Sequence, residues 1–235
     1  MVSRMPYLNA NGDVIELHLG AQGAELDESN PENRFRLTWL DALEKLLSEV
    51  SDAGKPVVIT ATGKYFSNGL DTDHVFANPA QLPAYLDRVH ALYTTVLTLP
   101  VPTVAAINGH AFGAGAMLAL CADHRVMRTE RGFWSLPEAA LTMPFTRGMA
   151  SLVRTRIPDA AATEAMLTSR RYGADDAVAA GIVDESADVD GLLARAGEIA
   201  SARAAVAGPN LALIKRGLRA PLLEDLAVPT PKSLL

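Results

Sequence analysis

Cysteine is almost absent: the 235 residues contain one, Cys121. A disulfide framework is therefore excluded, and the expected setting is a reducing compartment, the cytoplasm. Positive charge is in deficit too. Lys and Arg number 21 against 27 Asp and Glu, a net charge of −6, which argues against a nucleic-acid partner. No apolar run approaches the ~20 residues that span a bilayer. The longest small and apolar stretch is Ala111 to Ala122, so no membrane association is expected. The opening MVSRMPYLNANGD lacks the apolar core of a signal peptide. Internal repeats, low-complexity tracts and a GxxxxGK[ST] phosphate loop are missing, and glycines 109, 113 and 115 do not make the GxGxxG dinucleotide spacing.

What remains is a chain long enough to bury roughly 70–75% of its unfolded surface without covalent staples. Val14–Leu19, Val57–Ala61, Thr103–Ile107 and Asp123–Arg128 are β-branched or apolar runs that read as strands. Gly132–Ser135 is a short extended piece, and Ile182-Val183 is expected as a last short strand. A polar segment, Glu25 to Arg36, carries the loop signal Asn30-Pro31. Thr38-x-x-Asp41 fits a capping box opening a helix with Leu40, Leu43, Leu46, Leu47 and Val50 on one face and Gly54 as its stop. A second amphipathic helix runs from Leu82 to Leu99, and further helices are expected at 146–156, 159–169 and 174–180. From Val189 the chain is helical, Ala- and Arg-rich, broken at Gly208-Pro209 and Pro221, with a frayed tail from Pro229. Alternating strand and helix argues α/β with a parallel sheet. We divide the chain into a core, 1–190, and a C-terminal helical segment, 191–235, too small to stand alone.

The rest is organised around Ala105–Ala122, AAINGHAFGAGAMLALCA: a buried strand, a Gly-rich turn, then an apolar helix. Glycines at the turn permit positive φ or close approach, and a helix start presents unpaired N–H groups with partial positive charge. The stretch is built to face something negative. A second Gly-containing loop, Gly63 to Asp71, follows another strand, and ligands in open α/β folds sit at strand carboxyl ends. Glu138 stands among Phe133, Trp134, Leu136, Ala139 and Leu141. Burial there would raise its pKa and suit a general base near neutral pH.

Four motifs in order are similar to the crotonase family, the enoyl-CoA hydratase/isomerase superfamily. They are Ala61-x-Gly63-x-x-Phe66-Ser67-x-Gly69-x-Asp71, Ala106-x-Asn108-Gly109-x-Ala111-x-Gly113-x-Gly115, Pro137-Glu138, and Ala177-x-x-x-Gly181-Ile-Val183. The resemblance spans Val14 to about Leu218. It implies an α/β fold: a crotonase-type spiral of ββα units with a C-terminal helical trimerisation segment. It implies an acyl-CoA thioester as substrate, no further cofactor, no metal, a homotrimer or dimer of trimers, and a place in fatty-acid β-oxidation. It assigns the N–H groups of Leu70 and Ala114 to an oxyanion hole. Arg34, Phe66, Ser67, Asn68, Gly69, Asp71, His110, Gly113 and Met117 become the substrate-binding set.

Which reaction follows depends on carboxylates. Hydratases of the family use two glutamates; the position of the first is Met117 here, and the second matches Glu138. One carboxylate with an oxyanion hole fits moving a double bond, so the resemblance points to the Δ3,Δ2-enoyl-CoA isomerase branch. Asn33-Arg34-Phe35 and Leu141-Thr-Met-Pro144 look like that branch as well. The alternatives are a hydratase in which Asp73 or His110 replaces the carboxylate, or a non-catalytic acyl-CoA binder. A Ser67–His110–Asp71 hydrolase triad and an Asp71-x-Asp73-His74 metal cluster are weaker readings, the latter segment reading better as a solvated loop or a helix start. Lys215, Arg216 and Arg219 form either a contact for CoA phosphates or a solvated basic face.

Overall fold

A computed structural model describes residues 5–20, 22 and 32–234. The expected loop at Asn30-Pro31 lies outside the described residues, as does most of its polar segment. The chain opens with a hairpin of β1 (Tyr7–Asn11) and β2 (Val14–His18), followed by α1 (Leu37–Ala53). Three turns of a spiral come next. The first is β3 (Val57–Thr60), β4 (Tyr65–Ser67), α2 (Thr72–Ala77) and α3 (Leu82–Leu97). The second is β5 (Thr103–Ile107), β6 (His110–Phe112) and α4 (Ala114–Cys121). The third is β7 (His124–Arg128), β8 (Trp134–Ser135) and α5 (Arg147–Arg156). The chain finishes with α6 (Asp159–Thr168), α7 (Ala174–Ala179), β9 (Glu185–Ala187), α8 (Leu192–Ala202), α9 (Pro209–Leu218) and α10 (Ala220–Leu226).

Each turn gives one strand to each of two sheets. The large sheet has the order β1-β2-β3-β5-β7-β9 and the small one β4-β6-β8, parallel throughout except for the hairpin. Parallel strands buried on both faces read as continuous apolar runs, and alternate residues serve different cores. Ile15, Leu17, Val57, Ile59, Ala105 and Ile107 face the main core with α1, α3 and α4. Val14, Val58, Val104, Ala106 and Val126 face a second layer covered by Leu192, Ala196 and Ile199 of α8. That covering, together with Leu222 and Leu226 of α10 in the main core, explains why the helices after 191 need no strands of their own.

Several local expectations are corrected. The helix α1 starts at Leu37 behind Arg36, and no side-chain cap is made, so Thr38 lies inside the helix. The loop after β3 contains the short strand β4, whereas Asp71-x-Asp73-His74 opens the helix α2, as the reading of that segment as a helix start expects. Ile182 and Val183 are not a strand: both are buried, their N–H groups bond to Ala177 O, and the edge strand is the more polar Glu185–Ala187. As far as Leu234 the tail is docked, not frayed. The Thr230 N–H donates to Asp87 Oδ1 at 2.8 Å, Thr230 is buried, and Leu234 packs against the main core.

Candidate functional site

The small sheet builds the site. Its three strands run parallel, with Tyr65 beside His110, Ser67 beside Ala111, and Phe112 beside Ser135. Their carboxyl ends therefore emerge side by side, each delivering one component: Leu70 after β4, Ala114 after β6, Glu138 after β8. The first two turns touch. Gly69 has φ +80°, and a Cβ there would sit 2.7 Å from Phe112 O and 3.1 Å from Ala114 N. At Gly115 a Cβ would lie 2.5 Å from Ser67 O. Only glycine allows both approaches.

Ala114 begins α4 behind Gly113, whose φ is +51°. The Gly113 N–H is taken by Ser135 O and the Met117 N–H by Gly113 O, while the N–H of Ala114 has no intrahelical acceptor. Across the turn, Gly69 O accepts the Phe35 N–H, and among the described residues no backbone bond takes the N–H of Leu70. Two N–H groups from neighbouring turns are thus left without a backbone acceptor among the described residues, and both residues line one cavity.

That cavity has a volume of about 430 Å³ and mostly apolar walls, the usual character of a small-molecule site. Glu138 reaches its lining beside Gly113, where a Cβ would lie 3.1 Å from its Oε1. Its Oε2 is buried without a hydrogen-bond partner. Burial pushes the carboxyl up to about 7, and a bond from its own backbone N–H only partly opposes this. A carboxyl raised this far can take up or release a proton near neutral pH, the condition that favours a general base. Met117 also faces the cavity from the first turn of α4.

Of the residues singled out in the sequence, the cavity wall brings together Arg34, Asn68, Gly69, Leu70, Gly113, Ala114, Met117 and Glu138. Arg34 backs the first turn, donating to Leu70 O at 3.2 Å and Thr72 Oγ1 at 3.1 Å while pairing with Glu32 at 2.5 Å. Four residues fall elsewhere. Phe66 is fully buried in the main core. Ser67 donates to Asn33 O at 2.8 Å and accepts the Gly69 N–H at 3.1 Å, so it shapes the turn. The Asp71 N–H is held by Tyr85. His110 stacks among Tyr65, Phe112 and Phe133, and burial lowers its pKa. Ser67 makes no bond to His110 or Asp71, which removes the triad. Neither Asp73 nor His110 lines the cavity, so neither stands in for a carboxylate at Met117. Among the described residues no cluster of three His, Cys, Asp or Glu is placed to hold a metal ion.

The basic trio near the end is also corrected. Lys215 and Arg219 are buried and paired with Asp123 at 2.5 and 2.8 Å, so only Arg216 remains exposed. The sequence reading missed Leu82, Leu86, Met149 and Leu234 as cavity residues. Leu82 and Leu86 carry a signal, one turn apart on the apolar face of α3. Leu234 carries none, because only tertiary packing brings it there.

Comparison with known proteins gives the family and the fold. A family model described as "Enoyl-CoA hydratase/isomerase" matches residues 23–227. The Arabidopsis thaliana protein named enoyl-CoA delta isomerase 2, peroxisomal, is 34% identical over 195 residues, 78% of this chain and 77% of that one. A carnitinyl-CoA dehydratase of Escherichia coli K12 is 30% identical over 201 residues, 85% of this chain and 74% of that one. A crystal structure titled probable enoyl-CoA hydratase from Mycobacterium tuberculosis superposes with a TM-score of 0.84 at 25% identity, covering 94% of this chain and 91% of that one. The chain belongs to the enoyl-CoA hydratase/isomerase family and has the crotonase fold.

Proposed function

We propose that this chain is an enoyl-CoA isomerase that moves the double bond of a 3-enoyl-CoA into conjugation with the thioester. One observation carries the reading: Glu138 is the single carboxylate in the cavity wall among the described residues, and Met117 lines that wall at the position where the resemblance expects the other glutamate of family hydratases. Glu138 takes a proton from C2, and the electron pair moves onto the thioester oxygen. The N–H groups of Leu70 and Ala114 receive that oxygen. The dienolate then regains the same proton from Glu138 at C4, leaving a C2–C3 double bond. No water is consumed and no cofactor or metal is called for. Each oxyanion donor is worth about 10²–10³ in rate and the positioned base about 10²–10⁴. The acyl chain would lie along Leu82, Leu86, Met149 and Leu234.

Similarity to an enoyl-CoA delta isomerase supports the isomerase reading, and similarity to a dehydratase keeps water chemistry as the alternative. Purified protein given 3-hexenoyl-CoA is expected to generate the ultraviolet band of a conjugated enoyl thioester. Absence of that band, or full activity in Glu138→Gln, sinks the proposal. Loss of the band from 2-hexenoyl-CoA in water marks a hydratase, and no change with either substrate marks a binder. The proposal extends to a homotrimer or dimer of trimers, supported by the exposed Leu213, Ile214 and Leu218 of α9. It also extends to a reducing compartment such as the cytoplasm, supported by Cys121, buried and in no disulfide. Among the described residues no helix is long and apolar enough to cross a membrane.

A further inference from the structure

The two N–H groups assigned to the thioester oxygen belong to separate turns, so something must set their spacing. Helix α3 touches both turns. Tyr85 and Tyr93 are both buried, roughly two turns apart and therefore on one side of the helix. The Tyr85 hydroxyl accepts the Asp71 N–H at 3.0 Å and donates to Phe35 O at 2.8 Å. It thereby clamps the peptide that follows Leu70 to the strand-like pairing of Phe35 with Leu70. The Tyr93 hydroxyl donates to Ala114 O at 2.9 Å, on the same residue that offers its N–H to the cavity. On the other side, Trp134 Nε1 donates to Ala116 O at 3.1 Å. Gly69, Gly113 and Gly115 make these turns possible but give them no stiffness of their own.

We infer that Tyr85 and Tyr93 are positioning residues: through one rigid helix they fix the separation of the Leu70 and Ala114 N–H donors. The inference rests on the function proposed above. Neither hydroxyl touches the cavity, and each acts through the backbone it holds. A donor misplaced by an ångström loses much of its value in the transition state while ground-state binding, spread along the CoA and acyl chain, changes little.

The test uses Tyr85→Phe and Tyr93→Phe, which keep the ring and delete only Oη. Turnover of 3-hexenoyl-CoA is followed together with exchange of the C2 proton of saturated hexanoyl-CoA in D2O, a reaction that needs the base and the donors but no double-bond shift. Each variant is expected to lose about 10- to 100-fold in kcat, with KM within about twofold. Exchange should fall in parallel, and the pH midpoint should stay near 7 because Glu138 is untouched. Wild-type kcat in variants that merely melt at lower temperature overturns the inference, as does a displaced pH midpoint. Should Tyr93→Phe not fold, Tyr85→Phe decides alone. A wild-type protein that neither isomerises nor exchanges refutes the proposed function, whereas wild-type turnover with unaffected variants refutes only the brace.

Discussion

The two ends of α4 follow opposite electrostatic plans. At the first residue, Ala114, the N–H has no intrahelical acceptor and the residue lines the cavity, and the neighbouring carboxylate, Glu138, is buried with one oxygen unpartnered. At the other end the helix carbonyls are closed off. Arg156 donates to Leu120 O and Ala122 O, both at 2.8 Å, and Arg125 anchors to Ile182 O at 2.8 Å. Just beyond, Asp123 is held by Lys215 at 2.5 Å and Arg219 at 2.8 Å. Lys215 also bonds Val101 O, and Arg219 bonds Leu97 O. Burial alone would raise the Asp123 carboxyl, but the two cations override it and hold it below its ordinary value. Burial raises Glu138 to about 7, and no cation among the causes of its shift opposes it. The contrast separates two uses of a buried carboxylate: paired, it ties distant segments together; unpaired, it is left able to move a proton.

Removing the unpaired acid should have the largest effect. Glu138→Gln is expected to lower kcat by about 10²–10⁴ while improving stability. The raised carboxyl contributes stability in full below its unfolded pKa near 4.5 and loses it as pH rises through about 7. Above pH 7 the variant should therefore unfold at higher denaturant concentration, by on the order of 3 kcal/mol. In the wild type, kcat/KM should fall about tenfold per pH unit below 7. A pH-independent rate from 5 to 9 breaks the contrast.

Asp123→Asn tests the paired end. Lys215 and Arg219 would be left buried without their counterion, which costs about 3–5 kcal/mol. For a chain of this length the melting temperature should drop by roughly 10 °C. Here the sign is reversed: a depressed carboxyl contributes stability above its unfolded pKa and loses it as pH falls through the folded value, below about 3.8. Turnover by the folded fraction, measured well below the melt, should remain near wild type. A large loss of kcat without loss of stability would show the two ends to be coupled through the helix.

Much of the open end was legible in the sequence. Gly69, Gly113 and Gly115 are demanded by positive φ or close approach, so spacing alone exposes the turns. Glu138 stands out as a carboxylate in apolar company. The closed end was not legible, because Asp123, Lys215 and Arg219 look like ordinary surface charges until tertiary contact pairs them. Short pieces escaped for another reason: β4 and β6 span three residues each and β8 two, too little to show a period. The apolar Ile182-Val183 mimics a strand but fills the core, while the edge strand Glu185–Ala187 is more polar. The tail's docking depends on Thr230 meeting Asp87, a contact no local signal announces.

Met117 offers a way to blur the contrast from within. Met117→Glu places a second carboxylate at the open end, on the first turn of α4. Like charges in one apolar cavity raise each other's pKa, by about one unit for a partner several ångströms away. The pH midpoint for isomerisation should move upward by about that amount, and hydration of 2-hexenoyl-CoA should become detectable. An unmoved midpoint in a folded variant would mean that residue 117 does not sense Glu138.

The smallest effect is expected farthest from the charges, at Leu234. Its segment is pinned to α3 through Thr230 and Asp87, and its side chain joins Leu82 and Leu86 of α3 and Met149 of α5 in the cavity wall. Leu234→Ala should lengthen the apolar space without altering the donors or the base. A pocket's discrimination per methylene is at most about 10–200-fold, and Leu234 is only partly buried. A shift of about three- to tenfold in kcat/KM toward longer acyl chains is therefore expected, with the pH midpoint and the short-chain kcat unchanged. Equal changes across all chain lengths would assign Leu234 to folding rather than to the acyl wall, and the wall would then end at α3 and α5.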